Sequence, residues 1–76
     1  MKHDLIEIVA TVLNVPEGEL TPESGPANLG KWDSLAHVTI VAAVEKKFSI
    51  RLTMFEMLSI KSLSDLQKAI EARGVS

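Results

Sequence analysis

Leu29-Gly30-Lys31-Trp32-Asp33-Ser34-Leu35 is the stretch from which the rest of the chain can be read. It sets a serine just inside the start of a helix, behind a glycine-containing loop. Asp33 suits the N-cap, because its carboxylate can accept a hydrogen bond from an unpartnered amide of the first turn. From there to Phe48, residues Leu35, Val38, Val41, Val44, Lys47 and Phe48 fall on one helical stripe, apolar except at Lys47. The first amides of a helix lack intrahelical partners, and its dipole favours negative charge at that end. A phosphodiester on the Ser34 hydroxyl would sit in a favourable field.

Upstream, Leu5, Ile8, Val9, Val12 and Leu13 recur at helical spacing, with Asp4 and Glu7 in the first turns, which predicts a helix from about Asp4 to Leu13. The segment from Asn14 to Trp32 holds all three prolines and three of the four glycines, so it reads as one long loop. Val15, Leu20, Ala27 and Leu29 are spaced through it as anchors to a core. Downstream, Thr53 can cap a short helix over Met54 to Leu58. Ser62-Leu63-Ser64-Asp65 has the form of a capping box, ahead of a stripe of Leu63, Leu66, Ala69 and Ile70 that Gly74 ends. No strand alternation competes. The expectation is an all-α, small four-helix bundle: three longer helices, a short third helix and a long first loop, in one domain over 1–76.

Composition narrows the function. Seventy-six residues leave no room for a second core, and 46% apolar with 24% charged residues is the balance of a globular chain. There is no cysteine, so thiol chemistry must come from a cofactor. A net charge of −2 argues against nucleic acid as a partner. The longest purely apolar run, Ile40 to Val44, is too short to span a bilayer, and acidic residues interrupt the N-terminal apolar stretch. A soluble, cytoplasmic monomer with no membrane partner is expected.

With these residues in place, the sequence resembles the acyl carrier protein family, whose attachment motif is Asp-Ser-Leu at the start of the second helix. The resemblance covers nearly the whole chain. It runs through Leu5, Ile8, Val9, Leu13 and Val15, the Leu29-Gly30 lead-in and Asp33-Ser34-Leu35. It then continues from Val38, Val41, Val44 and Phe48 to Ile60, Ser62 and Leu63. It implies a free-standing, non-enzymatic carrier whose 4'-phosphopantetheine arm is moved from coenzyme A onto Ser34 by a phosphopantetheinyl transferase. Acyl intermediates ride on the arm as thioesters and are presented to acyl-loading and acyl-processing enzymes, and tethering raises their effective concentration there. On this resemblance Asp33 also helps place a metal ion during transfer, although no residue of the chain itself is expected to hold one, and Leu35 combines core packing with contact to the transferase.

The chain departs from the fatty acid synthesis pattern in charge. Asp33, Glu45 and Glu56 balance Lys46, Lys47 and Arg51 over the second and third helices, and Ala36, Thr39, Lys46 and Lys47 stand where that family often has acids. This favours a specialised pathway, polyketide-like or loading a hydroxy or amino acid, with fatty acid biosynthesis as the alternative. Ala36, His37, Thr39, Met54 and Phe55 are the expected partner contacts, with His37 solvated. An apolar cargo gains about 0.8 kcal/mol per methylene removed from water, and is expected to insert between the second and third helices. Trp32 reads as a core anchor for the loop.

Two rivals remain. One is an arm-less interaction module of the same fold. The other is a small serine hydrolase using Ser34, His37 and Asp33, which helical spacing makes possible neighbours. It is disfavoured because Asp33 is better used as a cap and a bundle this small leaves little room for a pocket. His3 reads as inert, with no acidic cluster at ligand spacing.

Overall fold

The computed structural model describes residues 3–74. Its helices are α1 (His3–Leu13), α2 (Ser34–Phe48), α3 (Met54–Ser59) and α4 (Leu63–Ala72), with a 3₁₀ turn at Glu17–Glu19 inside the long first connection. Among the described residues there is no strand, and no helix is long and apolar enough to cross a membrane.

Short polar side chains start three of the four helices. Asp33 Oδ1 accepts from the Ala36 amide at 2.8 Å. Thr53 Oγ1 accepts from the Glu56 amide, and Glu56 Oε1 accepts in return from the Thr53 amide, a complete capping box. Ser62 Oγ accepts from the Asp65 amide, but Asp65 Oδ2 takes the Lys61 amide instead of that of Ser62. The box expected at Ser62–Asp65 is thus closed on one side only. Ser49 ends α2 in the left-handed region (φ 54), as Gly74 does beyond α4 (φ 85).

The core joins Leu5, Val9 and Leu13 of α1, Ile40, Val41 and Val44 of α2, Leu63, Leu66 and Ile70 of α4, and Ile60 between α3 and α4. Trp32, 1% exposed, plugs it from the loop. The expected α2 stripe is corrected at its start: Leu35 is 76% and Val38 51% exposed. The inward line runs instead through Ala36, Ile40, Val41, Val44 and Phe48. Both faces of this turn are apolar, and packing against α1 and α4 selects one.

The long loop is ordered by its own bonds. Val15, Leu20 and Leu29 pack on the core, whereas Ala27, expected beside them, is exposed. Thr21 N–H donates to Ser24 Oγ, and Gly25 N–H to Asn28 Oδ1. The carbonyls of Ser24 and Pro22 accept from the Leu63 and Ser64 amides at 2.8 and 2.9 Å, so loop backbone satisfies the open end of α4. Gly25 makes this approach possible, because a Cβ there would collide with the Lys61 carbonyl.

The short α3 buries no residue. Half-buried Met57 packs on the core, and polar clasps add to it: Arg73 pairs with Glu56 and donates through Nε to the Arg51 carbonyl, and Glu45 Oε2 accepts from the Leu52 amide.

Candidate functional site

Ser34 is the first residue of α2 and is exposed. Its position follows from Asp33, whose side chain takes the Ala36 amide while its carbonyl takes that of His37. A groove of about 470 Å³ runs beside it, with Pro26 from the loop, Ser34 and His37 from α2, Leu58 from α3, and Ile60 and Lys61 among its lining. The groove therefore offers a serine at a helix start, a lining made partly polar by Asp33, His37 and Lys61, and apolar walls. It suits a tethered, extended, partly polar chain.

His37 differs from expectation. It is half-buried rather than solvated: Trp32 Nε1–H donates to its Nδ1 at 2.9 Å, and its Nε2 lies 2.8 Å from the Met57 carbonyl. A carbonyl only accepts, so Nε2 carries the proton and Nδ1 is the bare acceptor. Both nitrogens are thus engaged away from Ser34, and the Asp33 carboxylate is engaged at Ala36. The base–nucleophile contact that a hydrolase requires is not assembled.

The other expected contacts divide. Met54 and Phe55 are 71% and 79% exposed, and Thr39 is exposed with its hydroxyl donating to the Leu35 carbonyl. Ala36 leans on the core instead. Leu35, expected to combine packing with contact, makes no core contribution and joins Val38, Met54, Phe55 and Leu58 as the large exposed apolar side chains of the described residues. All five come from the first half of α2 and from α3, the helices that His37 links.

Two features escaped the sequence. Lys61 enters the groove only because the chain turns there between α3 and α4. At the other end, His3 meets Glu7 at 2.9 Å and Glu17 of the 3₁₀ turn at 3.6 Å. The absence of acids expected around His3 is thereby corrected; Glu17 is brought in by the fold. All three are exposed, and their contacts pin the 3₁₀ turn to α1.

A family model described as "Phosphopantetheine attachment site" matches residues 3–70. An acyl carrier protein named MbtL, from Mycolicibacterium paratuberculosis, is 33% identical over 69 residues, spanning 91% of this chain and 78% of the relative. Acyl carrier proteins of Acidothermus cellulolyticus and Thermobifida fusca are 33% and 30% identical, spanning 95% and 88% of this chain and 86% and 85% of their own lengths.

Proposed function

The chain belongs to the phosphopantetheine attachment-site family, in its acyl carrier type; from this premise we propose that Ser34 bears the arm and that the domain over 1–76 carries acyl groups without catalysing their chemistry. The observation that carries this is the exposed Ser34 hydroxyl at the start of α2, opening on the groove. The residues present suit the group. The helix start favours the phosphodiester, and the apolar wall formed by Leu58 and Ile60 can lie along the arm. When bound, the arm supplies the thiol that the chain's own residues lack.

Family membership implies a phosphopantetheinyl transferase and biosynthetic enzymes as partners. Leu35, Thr39, Met54 and Phe55 form their docking face in this reading, since they are exposed around the attachment serine and on α3. The balanced charge over Asp33–Leu58 favours a specialised pathway over fatty acid synthesis, with the carrier acting as a cytoplasmic monomer. The test is acyl loading: with a transferase and acetyl coenzyme A, the protein should become an acetyl thioester that hydroxylamine releases. A protein that folds but accepts no arm would instead be an arm-less docking module.

A further inference from the structure

An acyl chain leaving Ser34 has two courses. It can lie in the open groove, or it can pass between α2 and α3 into the core. The second course meets the His37 ring, which lines the groove and closes the seam by bonding Trp32 on one side and the Met57 carbonyl on the other. Beyond the ring the packing is tight: Trp32 and Ile40 are 1% and 0% exposed. The two rings also lie against each other, with centroids 6.2 Å apart.

Entry would require more than moving a side chain. Displacing His37 leaves the Trp32 N–H, on a side chain already withdrawn from water, without the acceptor it uses here. A buried donor deprived of its partner costs more than an ordinary hydrogen bond contributes. Displacement also removes a tie on α3, which has no fully buried residue and meets the core through half-buried Met57. The groove outside carries no such cost, and Asp33 and Lys61 in its lining keep it partly polar.

We infer that His37 is the residue that sets cargo selectivity, closing the α2–α3 seam so that the acyl group stays in the outer groove. Short, hydrated acyl groups such as hydroxy or amino acids are the favoured cargo, and alkyl chains gain no shelter. This rests on Ser34 as the attachment site and adds the gate beside it.

The test loads Ser34 with octanoyl or glyceryl arms from the corresponding coenzyme A thioesters, with intact mass confirming attachment first. Hydroxylamine cleavage of each thioester is compared with that of the same acyl pantetheine free in solution, and the Trp32 indole N–H is followed by NMR. In the unaltered protein both cargoes should be cleaved at about the free rate, with the indole signal in place. In His37→Val, which removes both bonds and opens space, octanoyl cleavage should slow by about tenfold, the effect of a hydrogen-bond-sized barrier, while glyceryl cleavage is unchanged. Trp32→Phe, which removes the donor but keeps an aromatic plug, should act in the same direction if the first variant does not fold. Octanoyl protection in the unaltered protein, with a displaced indole signal, would overturn the gate. So would a folded variant that leaves octanoyl as exposed as before. Failure to gain the arm at all would overturn the carrier reading itself, and the mass reports that separately.

Discussion

Arg73, just past the end of α4, pairs with Glu56 in the first turn of α3, and so ties the last helix to the one with no buried residue. The same guanidinium donates to the Arg51 carbonyl at 3.0 Å. The Arg73 hydrogen bond and then the Thr53 amide hold the Glu56 carboxyl down from 4.5 to about 2.

A carboxyl whose folded value is depressed contributes stability above its unfolded value and loses it as pH falls toward the folded one. Here that window runs from about 4.5 down to about 2. Urea midpoints should therefore fall more steeply across it for the unaltered protein than for Glu56→Gln. Parallel curves would show that the exposed pair is silent, as many surface pairs are.

Gly25→Ala should destabilise the fold by about 1–3 kcal/mol, the usual range for overpacking, because its Cβ meets the Lys61 carbonyl. Gly18 has open space around it, so Gly18→Ala is the control and should cost little. Urea unfolding of both variants checks the contrast, and an equal loss in the two would refute loop–α4 contact as the cause.

Ser49→Gly should stabilise the protein. Ser49 holds φ 54 at the end of α2, where a side chain costs about 1–2 kcal/mol that glycine avoids. The melting temperature should rise by several degrees, since about 1 kcal/mol is worth roughly 4–8 °C in a domain of this size. No rise would mean that the added backbone entropy of glycine offsets the relief.

Docking should be apolar. Phe55→Ala and Leu35→Ala should each weaken transferase binding by more than about 1 kcal/mol if these exposed side chains are anchors. Salt screens exposed charges over about 8 Å at physiological ionic strength and so weakens charge-driven docking; docking through apolar side chains should change little as salt rises. Steep salt dependence with no effect of Phe55→Ala would contradict both.

What the sequence revealed, and what it hid, has a physical pattern. The start of α2 was legible because Asp33 is a local cap, and α1 because Leu5, Val9 and Leu13 lie on one face, flanked by Ile8 and Val12, with Asp4 and Glu7 exposed. The inward face of α2 was not, since Leu35 and Val38 are as apolar as Ile40 and only the neighbouring helices decide between them. The role of His37 was hidden for another reason. One of its partners is a backbone carbonyl at Met57, which leaves no mark in the residue type, and Lys61 reaches the groove only through the fold. Thr53-Met54-Phe55-Glu56 carries a full capping-box pattern, which Glu56 completes by returning a bond to the Thr53 amide.

The most direct measurement is the mass of the protein, and of its peptides, after incubation with coenzyme A and a broad-specificity phosphopantetheinyl transferase. One phosphopantetheine should be added, on the peptide containing Ser34, and Ser34→Ala should fold normally and gain nothing. Modification at another serine, or none with several transferases acting on folded protein, would contradict the assignment of Ser34 as the point from which this carrier works.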